Sequence, residues 1–302
     1  MKRRFFMQKK NIAGKINHIL TWVMLFLLLP LFFTVFYQKM QINEIISGMQ
    51  KNEKEDTGVI VGILAKEIHA DVSDECLKAQ AVIARTNYLA AQKNGEKIPK
   101  CLTTDEMKEV WGTSYDSTYR KMEQAVKDTE GETLQYKDTY IYAAFHALSA
   151  GKTRNIQELY PDADMPYLKT TDCGSDCNDP NYLAVLYWKK EEFLKKCTNL
   201  FAEASISDVS EIYILQKDEA GYVLKIKVGD KEYSGEEFRA AFNLRSACFT
   251  LTETEENIRI VTKGVGHGFG MSQYAAERMA EEGADYRTIL NTFFPGAILA
   301  KK

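Results

Sequence analysis

The sequence predicts an α+β fold, mixed helices and antiparallel strands in one large outer domain, preceded by a single transmembrane helix. Three observations lead there. An uncharged run from Ile16 to Gln38 follows a basic tail that contains no acid. Residues 74–92 carry a helical stripe of mostly small apolar residues. Segments 211–215 and 222–228 alternate apolar with polar side chains, with no regular βαβ repeat and no internal duplication.

The core of the uncharged run, ILTWVMLFLLLPLFFTVFY at residues 19–37, has about the ~20 residues needed to cross a hydrocarbon layer as a helix. Lys2, Arg3, Arg4, Lys9, Lys10 and Lys15 precede it, so the basic flank stays inside and the C-terminal part faces out. A cleaved signal peptide has an apolar region of only ~7–15 residues and a small-residue cleavage site. This run ends in Phe36-Tyr37-Gln38-Lys39 instead, and Pro30 in mid-span is a place for a kink. The expected organisation is a cytoplasmic tail at 1–17, a transmembrane helix at 18–38, a polar stalk at 39–57 and an extracytoplasmic domain at 58–302. Across 302 residues the net charge is −3, which leaves no footprint for a nucleic-acid partner.

Within the outer domain, residues 59–68 (VIVGILAKEI) are apolar with two polar intrusions and fit a strand or a short helix. Ser73 is placed to cap a helix over 74–92, with Asp74 and Glu75 in the first turn, where acids suit the helix dipole. Leu77, Ala81, Ala84, Tyr88 and Ala91 form its buried stripe. Residues 104–129 read as a second helical region containing Trp111 and Tyr115. Residues 132–148 read as strands, and 149–181, rich in Asp, Pro, Gly and Cys, as irregular. Strands 211–215 and 222–228 can close as a hairpin through Asp218-Glu219-Ala220-Gly221. A strand at 257–262 runs into a glycine-rich segment, and a helix at about 272–282 ends at Gly283.

There are six cysteines: Cys76, Cys101, Cys173, Cys177, Cys197 and Cys248. Cys173-Gly-Ser-Asp-Cys177 is the best local candidate for a disulfide or for half of a metal site. A tetrahedral zinc would need two further ligands, from a chain with only four histidines, His18, His69, His146 and His267.

Two segments are highly specific. Residues 77–86 read Leu-Lys-Ala-Gln-Ala-Val-Ile-Ala-Arg-Thr, and residues 266–276 read Gly-His-Gly-Phe-Gly-Met-Ser-Gln-Tyr-Ala-Ala. Both resemble the stage II sporulation protein D family, which includes amidase enhancers and whose usual forms are E-A-L-K-A-Q-A-V-A-A-R-T-Y and G-H-G-V-G-M-S-Q-Y-G-A, after an E-M-P. Weaker matches at 145–153, 166–168, 244–246 and 294–296 extend the resemblance over the outer domain. The resemblance implies a lytic transglycosylase that cuts the β-1,4 MurNAc–GlcNAc bond of peptide-stripped peptidoglycan strands and leaves 1,6-anhydroMurNAc. It also implies a role in forespore engulfment, in the mother-cell membrane facing the intermembrane space. The implied partners are a cell-wall amidase/endopeptidase and a membrane scaffold protein. Some clostridial relatives bind zinc through a Cys followed by His-Cys. Here Cys101 is followed by Leu-Thr-Thr-Asp-Glu-Met, so no metal and no cofactor is expected.

Such chemistry needs a carboxylic acid of raised pKa to protonate the leaving oxygen. A hydrolase needs a second carboxylate, whereas attack by the sugar's own 6-hydroxyl dispenses with it and gains from proximity. Two glutamates compete. Glu67 matches the family's E-M-P glutamate, with Ile68 and His69 in place of Met and Pro. It ends an apolar stretch where burial would raise its pKa. Glu75 lies in a first helical turn, where the dipole would lower it, and a plain helix-start acid explains it too. Glu67 is the expected acid and base.

The expected substrate-binding residues are Lys78, Gln80, Arg85, His146, Ser149, His267, Ser272 and Gln273. For His267, between glycines, a cleft position and a structural position both stay open. Ser272 fits a helix cap as well as a binding group, and Lys78, Gln80 and Arg85 fit a solvated or salt-bridged face as well as sugar contacts. No G-x-S-x-G elbow supports a serine hydrolase. A non-catalytic glycan-binding enhancer of an amidase is the alternative to an enzyme.

Overall fold

A computed structural model describes residues 57–301. The expected tail, transmembrane helix at 18–38 and all of the stalk but Thr57 lie outside the described residues. Among the described residues no helix is long and apolar enough to cross a membrane.

Residues 57–67 are helical (α1), which settles the strand-or-helix choice for this apolar run. Ile60, Val61, Ile63 and Leu64 are buried, so the run lacks a polar stripe because the helix is covered nearly all round. At Gly62 the segment after Cys101 comes so close that an added Cβ would lie 2.6 Å from the Leu102 carbonyl. After a short turn, α2 (Asp74–Asn94) forms the central helix. Ser73 caps it by accepting from the Cys76 N–H, and Gly95, at φ 67°, closes its C-terminus. Leu77, Ala81, Ala84, Tyr88 and Ala91 are all buried, as their spacing predicts, and the alanines let neighbours approach closely.

The helical region expected at 104–129 is two helices, α3 (Thr104–Trp111) and α4 (Tyr115–Asp128). Gly112, at φ 50°, and a single 3₁₀ turn break it. β1 (Glu132–Tyr136) and β2 (Thr139–Tyr140) form a two-residue hairpin. Its central residues, Lys137 and Asp138, both have positive φ, the conformation that matches the twist of paired strands. β3 (Phe145–His146) follows. Residues 149–181 are mostly irregular, as expected, apart from α5 (Ile156–Leu159) and a 3₁₀ turn at Gly174–Asn178.

The next stretch builds a second hydrophobic core. β4 (Leu183–Lys189) leads into α6 (Lys190–Leu200), and β5 (Ile212–Lys217) and β6 (Val223–Val228) form the expected hairpin. β7 (Lys231–Ser234), α7 (Gly235–Phe242), β8 (Phe249–Glu253) and β9 (Asn257–Lys263) complete it. Two three-stranded antiparallel sheets, β4-β9-β8 and β5-β6-β7, enclose a cluster rich in phenylalanine: Phe193, Phe201, Phe238, Phe242 and Phe249. Phe238 stacks on Phe242 and on Phe249.

The chain then returns to the first core through β10 (Met271–Ser272), α8 (Gln273–Glu281), α9 (Tyr286–Phe293) and β11 (Ile298–Lys301). β11 pairs with β1, and β10 runs parallel to β3 with Ser272 opposite His146. The expected α+β character is borne out, with two large hydrophobic clusters and a small third one of Tyr222, Ala247 and Cys248.

Candidate active site

The motif segments meet around a groove of about 350 Å³. Ile68 and His69, just after α1, line one part of it. Ala147 and Leu148, just after β3, line another, with Val265 from the glycine-rich segment, Arg245, and Gln273 and Tyr274 from the start of α8. Glu67 immediately precedes this lining, and its carbonyl accepts from the Gln273 side-chain amide at 2.9 Å. The same amide donates to Gln80 Oε1 at 3.2 Å. Glu67, Gln80 and Gln273 thus form one hydrogen-bonded cluster drawn from α1, α2 and α8.

The Glu67 carboxyl is half-buried, and that burial raises its pKa above the usual carboxylate range against the opposing pull of Lys66. Its place at the C-terminal end of α1 also disfavours negative charge. The rival Glu75 is occupied. Its Oε2 accepts from the Tyr286 N–H at the start of α9, and its Oε1 from Lys78.

The two histidines sit side by side, ring centroids 5.7 Å apart. Buried His146 meets the Phe269 carbonyl with Nδ1 at 3.0 Å. A carbonyl only accepts, so Nδ1 carries the proton and Nε2, buried with no partner, is an unprotonated lone pair. Burial, with His267 alongside, depresses the His146 pKa to about 3. His267 Nδ1 accepts from the Phe269 N–H at 3.0 Å, and burial lowers its pKa as well. Burial therefore disfavours the charged form of both rings.

The glycines beside His267 serve close packing. At Gly266 (φ 117°) an added Cβ would lie 2.6 Å from the His146 Cβ, and at Gly270 (φ 67°) 2.0 Å from the Ala144 carbonyl. These contacts favour the structural reading of His267.

Several of the expected sugar-binding residues have partners within the protein. Arg85 is buried and donates to the Val126, Thr129 and Glu132 carbonyls, closing the end of α4. Lys78 pairs with Glu75 and Asp128. Ser149 is fully buried; its N–H donates to Asp176 Oδ2 at 2.7 Å and its Oγ accepts from Gly151. Ser272 is the N-cap of α8, accepting from the Ala275 N–H, and its hydroxyl donates to Asp176 Oδ2 at 2.7 Å.

Asp176 was not legible in advance. It lies between Cys173 and Cys177 in the irregular segment, where the sequence signals only a loop. Its carboxyl is fully buried, with Oδ1 unpartnered, and burial raises its pKa. It joins the chain after β3 to the start of α8. Arg154, also missed, is fully buried between the Tyr222 and Phe269 rings and donates to Asp218, Glu236 and the His267 carbonyl. Glu277 holds Ser73 through its N–H and hydroxyl.

All six cysteines are unpaired thiols, Cys173 and Cys177 included. Among the described residues no group of three or more His, Cys, Asp and Glu side chains is placed to hold a metal ion.

The SpoIID family, described as stage II sporulation protein, matches residues 50–136. The chain is 30% identical over 257 residues to the stage II sporulation protein D of Bacillus subtilis (strain 168), covering 80% of this chain and 73% of that protein. It is 29% identical over the same length to the protein of that name from Bacillus amyloliquefaciens. An amidase enhancer of Bacillus subtilis (strain 168) is 26% identical over 291 residues, 79% of this chain and 40% of that protein. At 30% identity over 80% of this chain and 73% of that Bacillus subtilis relative, the chain belongs to the stage II sporulation protein D family.

Proposed function

We propose that the protein is a peptidoglycan lytic transglycosylase with Glu67 as its acid and base. The observation that carries this reading is a half-buried carboxyl of raised pKa at the end of α1, next to a groove lined by the family's motif segments, while Glu75 is occupied in capping α9. Protonated Glu67 gives its proton to the O4 of the departing GlcNAc as the bond to C1 of MurNAc breaks. The resulting carboxylate takes the proton of the MurNAc 6-hydroxyl as O6 bonds to C1. The product is 1,6-anhydroMurNAc, no water is consumed, and Glu67 ends protonated as it began. Gln273 fixes the backbone of Glu67, and Gln80 fixes Gln273 in turn.

The expected setting is a membrane anchored at 18–38 with the domain outside, acting on peptide-stripped strands in engulfment beside a wall amidase/endopeptidase and a membrane scaffold protein. The acid-free basic tail and uncharged run support the anchor. The second reading, a glycan-binding enhancer without cutting, is favoured by the likeness to an amidase enhancer and by Ile68-His69 in place of the family's Met-Pro.

Peptide-stripped strands incubated with the full-length protein separate the two readings. Anhydro ends should form with the native protein and with Glu75→Gln, and disappear with Glu67→Gln. Binding without cutting by the native protein would establish the enhancer instead, and reducing muramic ends would mean a hydrolase.

A further inference from the structure

The groove beside Glu67 is mostly apolar, yet it contains charged side chains, and their pairing is uneven. Glu277 is held by Ser73. Arg278 is paired with Glu281 and lies over the Tyr274 ring. Asp179 accepts from the Asn181 N–H. Arg245 and exposed Asp71 line the same groove, and neither side chain has an ion pair or hydrogen bond among the described residues, which leaves Arg245 as the unpaired cation there. Its backbone is firmly placed. The Arg245 carbonyl accepts from the Gly266 N–H at 2.9 Å, and the next residue, buried Ser246, bridges to Gly266 and donates to the Lys263 carbonyl. A guanidinium with free donors is thus fixed to the segment that carries His267, in the groove that Ile68 and Gln273 also line.

A guanidinium in an apolar groove is matched by a carboxylate, which it can bind through two parallel hydrogen bonds. In a glycan strand the sugar whose C1 is attacked carries a lactyl group on its 3-oxygen. That group ends in a carboxylate when no peptide is attached and in an amide when one is. The neighbouring GlcNAc has neither. We propose that Arg245 is the specificity-determining residue of the site, binding the free lactyl carboxylate of muramic acid and so selecting peptide-free strands. The inference rests on the glycan-cutting reading above. It adds which charge on the glycan is read, and by which side chain.

The test uses the full-length protein in detergent, carrying Glu67→Gln so that strands stay intact. Binding is measured for peptide-free strands, for the same strands with their lactyl carboxylates converted to methylamides, and for chitin oligosaccharides of equal length. The Glu67→Gln protein should prefer the free acid over the methylamide by about 10- to 100-fold, as expected for hydrogen bonds to a charged group. Adding Arg245→Gln should bring that ratio close to one and leave methylamide and chitin binding unchanged. Arg245→Lys, which keeps the charge but not the fork, should retain part of the preference, and it serves as the informative variant if the glutamine protein does not fold. An unchanged ratio in both variants, or no preference with Arg245 present, overturns the inference while glycan binding stands. Failure to bind any of the three glycans overturns the glycan reading, and the inference with it.

Discussion

Replacing Arg154 with methionine measures what the buried pair of Arg154 and Asp218 contributes to stability. The guanidinium is fully buried. Its Nε donates to Asp218 at 2.6 Å, and one terminal nitrogen donates to Glu236 at 2.8 Å and to the His267 carbonyl at 3.2 Å. The Tyr222 and Phe269 rings lie on it, each 4.7 Å from the guanidinium carbon. Methionine has similar bulk and can fill the space between the rings, so the cavity contribution is small. The dominant loss is electrostatic: the Asp218 side chain is buried, and without Arg154 its remaining partner among the described residues is the Tyr222 N–H on its Oδ1. Removing one partner of a buried pair costs about 3–5 kcal/mol, because the remaining charge has no counterion. For a domain of this size each kcal/mol lowers the melting temperature by about 2–4 °C, so a fall of about 6–20 °C is expected. Urea unfolding of the full-length protein in detergent, followed by tryptophan fluorescence, measures the loss. Adding Asp218→Asn should recover a large part of it, since the stranded charge is then gone. A loss below about 1 kcal/mol for Arg154→Met would mean that the buried pair contributes no more than an exposed ion pair does.

Two further predictions concern the carboxyls. Burial raises the pKa of Glu67 and the Lys66 charge lowers it. Cutting requires the protonated acid, so the rate should fall as pH rises through that raised pKa; Lys66→Gln should move the falling limb to higher pH, and a shift to lower pH in the pH–rate profile would contradict the assignment. Asp176→Asn retains an oxygen acceptor for the Ser149 N–H and the Ser272 hydroxyl and should be well tolerated. Asp176→Ala leaves the buried Ser149 N–H without an acceptor and should cost about 1–3 kcal/mol in urea unfolding.

Much of the fold follows from local chemistry that is visible in the chain. Ser73, the small-residue stripe and Gly95 delimit α2, and the alternation of Leu224, Ile226 and Val228 with lysines marks β6 because one face of that hairpin is buried and the other is wet. The ambiguity at 59–68 arose because α1 is buried nearly all round, so periodicity carries no signal there. The break at Gly112 was missed because one glycine leaves the helical pattern on either side intact. At the site, Glu67 and Gln273 were readable from motif and burial. Arg85 was not, because a buried arginine whose donors meet the carbonyls at the end of α4 looks in sequence like any polar helix residue. Asp176 gave no sign of its role because its partners, Ser149 and Ser272, are remote in sequence and meet it only in the folded chain.

Among the described residues the two-residue ladder between β3 and β10 is the smallest sheet, and it joins segments that are far apart in the chain. Successive side chains of a strand point to opposite sides. A slip of one residue by β3 would turn His146 away from Phe269, and a slip by β10 would turn Ser272 away from Asp176. The same alignment continues into the groove, where the Tyr274 N–H donates to the Ala147 carbonyl at 3.2 Å. The strands and helices of the second core, from β4 to β9, lie between β3 and β10 in the chain, so this pairing closes a loop that contains that whole core.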